Sequence, residues 1–192
     1  DKVYLLNSAS ETALAEKVMP LSLNVWHFLK VEMDGKKLSC YVNGSLAITY
    51  TLSAATSGTV GLRAVSNVRF DNLAVYSNDE SDHRKFRGYQ FNTNSAAELD
   101  SVWLFDDVSK WSVANRLVSY TGEGTGKMQL RVKDPIKNFV IEINTTPTSD
   151  KAVMGIVGRA DGNKGYTMTL DMAKGLTLYR NGVKMASISK ES

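Results

Sequence analysis

Histidine occurs at two positions, His27 and His83, and cysteine at one, Cys40, so the 192-residue chain offers little for nucleophilic or multi-thiolate metal chemistry. His27 alternates with strand residues beside Trp26 and reads as structural. No Gly-x-Ser-x-Gly nucleophile elbow occurs. Gly122-Glu-Gly-Thr-Gly126-Lys127-Met128 superficially matches a phosphate loop. Its spacing is one residue short, and Met128 stands where a hydroxyl would hold Mg²⁺. Asp161-Gly-Asn163-Lys-Gly165 is a short oxygen-rich loop, better read as a hairpin turn. Aromatic side chains are plentiful, with three Trp, eight Tyr and six Phe. Glycan binding combines aromatic faces, which stack on sugar C–H surfaces, with planar polar groups that hydrogen-bond hydroxyl pairs. Trp26, Phe70 and Phe139 sit in strongly alternating stretches and are expected in the core. Trp103, Trp111, Tyr41, Tyr120, Tyr166 and Tyr179 lie beside polar residues or turns and are expected within reach of a surface. Arg159, Asp161 and Tyr166 surround one predicted loop, and together with Trp111 they are the ligand-contact candidates; Arg63 and Arg69 flank another.

The elements that must hold these residues are strands. Nearly every segment alternates with period two, the pattern of a half-buried strand. In Val25–Leu52, Leu29, Val31 and Met33 alternate with polar or exposed partners, then Leu38, Cys40 and Val42, then Leu46, Ile48 and Tyr50. Asp34-Gly35 and Asn43-Gly44 separate these runs and supply the positive φ angles that type I′ hairpin turns require, so the stretch predicts a three-stranded meander. Further strands are predicted at 59–64, 68–76, 111–121, 127–132, 138–145, 153–159, 166–172, 176–180 and 183–189, the last pair joined by Asn181-Gly182. Only Thr12–Val18 hints at a helix. Short strands at this spacing predict an all-β sandwich or barrel.

Charge excludes some partners. Lys and Arg total 23 against 20 Asp and Glu, a net +3 without long runs of either sign, which leaves no electrostatic footprint for nucleic acid. No apolar stretch approaches the roughly 18 residues of a membrane span. A single cysteine rules out an internal disulfide. The sequence starts at Asp1 without a signal-peptide pattern, as a processed protein or excised fragment would. The one shift in composition is the polar run 77–87, read as a linker between segments 1–76 and 88–192.

Trp26–Tyr76, carrying WHFLKVEMDGKKLSCYVNGSLAITYT, GTVGLRA and VRFDNLAVYS, resembles the C-terminal half of concanavalin A-like/laminin-G-like modules appended to bacterial glycosidases and polysaccharide lyases. Leu104–Arg180, with FDDVSKWSVANRLVSYTGEGTGKMQLRV, NFVIEINTT, AVMGIVGRADGNKGYTMTLD and GLTLYRNG, resembles their N-terminal half. The halves stand in swapped order. Either a circular permutation or the back of one tandem module joined to the front of the next would produce it. The expectation is one two-sheet antiparallel jelly-roll sandwich, concanavalin A-like, built from both segments, with the FDN and FDD stretches close together.

The resemblance also carries functional expectations. Related glycosidases place Glu-x-Asp-x-x-Glu on one strand. The nearest stretches here, Glu32-Met-Asp34-Gly-Lys-Lys37 and Glu98-Leu-Asp100-Ser-Val-Trp103, lack the last carboxylate. Many such modules bind a structural Ca²⁺ between first and last strands, which implies Asp71, Asp106 and Asp107 as ligands through their hard oxygens. The expected function is a non-catalytic, lectin-like carbohydrate-binding module of a secreted or cell-surface glycan-degrading enzyme. Its expected partners are an oligo- or polysaccharide and a parent enzyme or tandem copies. The alternatives are a glycoside hydrolase or lyase domain on the same fold, and a protein-binding laminin-G-like adhesion domain.

Overall fold

The computed structural model describes residues 20–77, 85–86, 91, 96–99, 101–131, 135–161 and 164–189. The helix hint at Thr12–Val18 and most of the expected linker lie outside the described residues. The chain folds into two antiparallel sheets. The strands of the first segment are β1 (His27–Asp34), β2 (Lys37–Val42), β3 (Ser45–Thr51), β4 (Thr59–Val65) and β5 (Val68–Ser77), and the run expected as a linker contributes the short strand β6 (Lys85–Phe86), paired with β5. Those that follow are β7 (Trp103–Phe105), β8 (Trp111–Ala114), β9 (Leu117–Tyr120), β10 (Thr125–Leu130), β11 (Phe139–Pro147), β12 (Val153–Asp161), β13 (Lys164–Asp171), β14 (Gly175–Arg180) and β15 (Val183–Ser189). A four-residue helix, Ala96–Leu99, precedes β7.

One sheet runs β3-β2-β1-β11-β5-β9-β8, with β6 on β5, and the other β15-β14-β13-β12-β4-β10-β7. Strands from the two segments interleave: β5 lies between β11 and β9, and β4 between β12 and β10. Backbone pairing therefore ties both segments into both layers of an all-β sandwich, as the period-two pattern predicts, and the arrangement is consistent with the jelly roll that the resemblance implies. No helix among the described residues is long and apolar enough to cross a membrane.

Alternation puts one row of each strand into the space between the sheets. Leu29, Val31 and Met33 of β1, Ile141 and Ile143 of β11, Met154 and Ile156 of β12 and Leu176 and Leu178 of β14 are all buried there. Full burial of one such aliphatic side chain contributes about 1.5–3 kcal/mol. Phe139 reaches across from β11 to β12, where a Cβ on Gly158 would strike its ring. Glycine at that position lets the sheets approach.

The predicted meander is present as β1–β3. Its second turn has Asn43 at φ 50° and Gly44 at φ 77°, the type I′ requirement. The first turn differs from the type I′ expectation. Asp34 pairs with Lys37, so the central residues are Gly35 and Lys36, and Gly35 alone carries the positive φ, as in a type II′ turn. The run 111–121, predicted as one strand, is the hairpin β8–β9, turning at Asn115 and Arg116 with φ 51° and 63°.

Candidate functional site

The outer face of the seven-stranded sheet carries an open groove of about 450 Å³. Its residues come from five strands and meet only through cross-strand register. Gln129 pairs with Gly61, Gly61 with Val157, Val157 with Thr167, and Thr167 with Tyr179. The adjacent row runs Lys127, Arg63, Gly155, Thr169 and Thr177. Their sequence neighbours Leu62, Met128, Met154, Ile156, Met168 and Leu178 are buried in the core, so period-two alternation turns both rows outward.

Small residues open the trough. On the two central strands the outward positions include Gly61 and Gly155. A Cβ at Gly61 would run into the Met128 carbonyl, and one at Gly155 would lie 2.7 Å from the Met168 carbonyl. Val157, Thr167 and Thr169 form the floor, with Arg63, Lys127 and Gln129 at one side and Tyr179 and Asn181 at the other. Burial pushes the Arg63 guanidinium below its ordinary pKa, while Tyr179 and Asp171 act in the opposite sense. Its Nη2 donates to Thr125 Oγ1 at 3.1 Å.

A smaller cavity of about 170 Å³ adjoins the groove at the β12–β13 and β14–β15 turns, and the two share Gly165 and Asn181. Arg159, Asp161 and Tyr166 all line it, so three of the four predicted ligand residues do come together. Arg180 also lines it, with its guanidinium carbon 6.0 Å from the Tyr166 ring centre. The side chains serve it unequally. Asp161 is exposed. Arg159 is 2% exposed. It sits at φ 49° in a bulge of β12, and its Nε and Nη2 donate to the carbonyls of Lys137 at 2.8 Å and Gly35 at 2.6 Å. This guanidinium ties the β1–β2 turn to the start of β11.

The expected placement of five aromatic residues needs correction. Trp111 is 4% exposed, packed against Phe70, Phe105 and Tyr120, and lines neither cavity. Its place on β8 faces the second sheet, so it cannot offer a sugar-stacking surface. Trp103, Tyr120 and Tyr166, also expected within reach of a surface, are likewise buried, although Tyr166 still borders the smaller cavity. Trp26, expected in the core, is 45% exposed: it precedes β1 and shares the outward parity of Phe28, while His27 and Leu29 point inward.

The remaining candidates have structural partners. His27 is buried, with Nε2 3.2 Å from the Ser22 carbonyl; His83 lies outside the described residues. Glu32 faces outward on the other sheet, accepting from Lys30 Nζ at 2.7 Å and Tyr41 Oη at 2.9 Å. That hydrogen bond is the main cause raising the Tyr41 pKa.

The aspartates implied as calcium ligands are committed to local hydrogen bonds. Asp71 Oδ1 accepts from its neighbour Asn72 N at 2.7 Å. Asp106 accepts from Asp107 N at 2.9 Å through Oδ1 and from Lys127 N at 2.8 Å through Oδ2. Asp107 Oδ1 caps a single 3₁₀ turn through Ser109 N, and its Oδ2 lies 3.4 Å from Lys110 Nζ. Among the described residues no three His, Cys, Asp or Glu side chains group as a metal-binding set.

No family model matches this sequence, and no curated protein does either.

Proposed function

We propose that the protein is a carbohydrate-binding module whose ligand lies along the outer groove of the seven-stranded sheet. The observation that carries this reading is the groove itself: an open trough about 450 Å³ in volume, floored by threonines and Val157 and edged by Tyr179, Asn181, Gln129 and Arg63. Planar amide and guanidinium groups suit paired sugar hydroxyls, and a tyrosine supplies an apolar face with a polar tip. The adjoining cavity at Asp161, Tyr166 and Arg180 extends the track beyond one sugar ring. Binding is favoured over hydrolysis because the groove lining includes neither Asp nor Glu and the adjoining cavity a single one, Asp161, whereas glycoside cleavage requires two carboxylates flanking the scissile bond. Attachment to a secreted or cell-surface glycan-degrading enzyme belongs to the same proposal and rests on the sequence resemblance.

Calorimetric titration against a glycan panel, paired with a reducing-sugar assay, tests it. The expected result is weak binding, with Kd between millimolar and micromolar, about 4–8 kcal/mol, and no release of reducing sugar. Steady release, abolished by one Asp or Glu substitution, would replace the module with an enzyme.

A further inference from the structure

Two cations stand directly opposite one another in this groove. Arg63 on β4 pairs with Lys127 on β10 in antiparallel register, and both side chains line the trough. Like charges at directly opposed cross-strand positions destabilise a sheet. A half-buried guanidinium also loses hydration that only a counter-charge or good hydrogen bonds restore. Asp171 acts on Arg63 only from a distance, and among the described residues neither cation has a salt-bridge partner. The ion pairs recorded among the described residues, Lys30–Glu32 and Lys110–Asp107, involve neither cation. Asp171, one row further along the same face, directs its Oδ1 to the amides of Ala173 and Lys174 at 2.8 and 3.1 Å. Asp106 meets Lys127 through the lysine's backbone amide and carbonyl.

From this juxtaposition we infer that the groove takes a glycan bearing anionic groups, with Arg63 and Lys127 as the charge contacts. The inference rests on the carbohydrate-binding reading and narrows it. Uronate carboxylates and sulfate esters both present oxygens that a planar guanidinium fork engages in bidentate fashion, while the lysine adds a compact point charge. The Gly61 and Gly155 positions between these cations and the threonine floor keep the trough free of side chains that would hold the ligand away. A neutral glycan would leave the two opposed charges uncompensated.

The test is calorimetric titration with three probes of matched length: an oligogalacturonate, a sulfated galactan oligosaccharide and the neutral galactan oligosaccharide. The expected result is at least roughly tenfold tighter binding of one or both anionic probes, weakening as salt rises because part of the attraction is screened. Whichever anionic probe binds tighter identifies carboxylate or sulfate as the preferred group. Arg63→Gln removes the preference for the anionic probes without lowering the melting temperature, since it relieves the opposed charges, and Arg63→Lys restores part of the preference. Lys174→Gln, in a turn outside the groove, leaves the preference intact. Equal affinity for neutral and anionic probes would overturn this inference alone. So would equal losses in Arg63→Gln and Lys174→Gln, which would reduce the effect to general surface charge. Failure of all three probes to bind would overturn both the inference and the module reading.

Discussion

The rings of Phe70 and Trp111 stack with centroids 6.2 Å apart and planes 28° from parallel. Phe70 belongs to the FDN stretch on β5 and Trp111 follows the FDD stretch, whose Phe105 sits 5.8 Å from the same indole. The two stretches expected to converge thus meet on Trp111, with Tyr120 completing the cluster at 5.0 Å. Trp111→Ala is expected to cost about 3–5 kcal/mol of stability by leaving a cavity between sheets. Trp111→Phe costs less, since the indole Nε1 is buried without a hydrogen-bond partner and its loss removes an unsatisfied donor. Urea titration of the two variants measures the difference. Glycan affinity of folded Trp111→Phe stays at the parent value, because the residue is remote from the groove lining.

Cys40 is fully buried on β2, and burial pushes its thiol pKa far above the ordinary 9.0. Above the unfolded pKa, the unfolded chain loses a proton that the folded chain retains. The contribution of the neutral thiol is therefore fully present below about pH 9 and declines as pH rises through the alkaline range. Stability measured from pH 8 to about 10.5 should fall, and Cys40→Ala should flatten that part of the profile. Native protein should also react with a thiol reagent only as fast as β2 opens; immediate labelling would contradict the burial.

Arg116 holds φ 63° in the β8–β9 turn, a left-handed conformation that costs a residue with a Cβ about 1–2 kcal/mol. Arg116→Gly creates the Asn-Gly pair favoured by type I′ turns and should stabilise the protein by roughly 0.5–1 kcal/mol. A lower melting temperature would mean that the arginine side chain holds something the turn needs.

That hairpin also marks where the sequence stops being readable. Asn43-Gly44 and Asn181-Gly182 announce their turns because both residues tolerate positive φ. Asn115-Arg116 does not, since arginine adopts that conformation only under the pull of pairing on both sides, so the run 111–121 reads as continuous. Trp26 shows the same limit at a strand end, where a shift of one residue decides which face a side chain takes. For the site, proximity to a loop was enough to gather Arg159, Asp161 and Tyr166, but not to reveal that a bulge swings Arg159 toward two carbonyls. The groove was the least legible element. Arg63, Gln129 and Tyr179 lie far apart in sequence, and only strand order and register place them together.

Asp106 separates the capping account from a calcium account. Its carboxylate accepts two backbone amides, so Asp106→Ala should cost about 0.5–2 kcal/mol, the usual loss of a capping side chain. The parent protein should melt at one temperature with EDTA and with calcium. A fall with EDTA that calcium reverses would place an ion here, because a ligand bound only to the folded state stabilises it by mass action.

The central claim is the location of the ligand, and backbone amide NMR tests it most directly. Titration with a bound glycan is predicted to shift the amides of Gly61, Gly155, Thr167, Thr169 and Tyr179 together, and Tyr179→Ala should weaken binding about tenfold without lowering the melting temperature. Shifts gathered instead on the opposite sheet around Lys30 and Tyr41, or on Leu23–Trp26, with Tyr179→Ala binding as tightly as the parent, would contradict the groove.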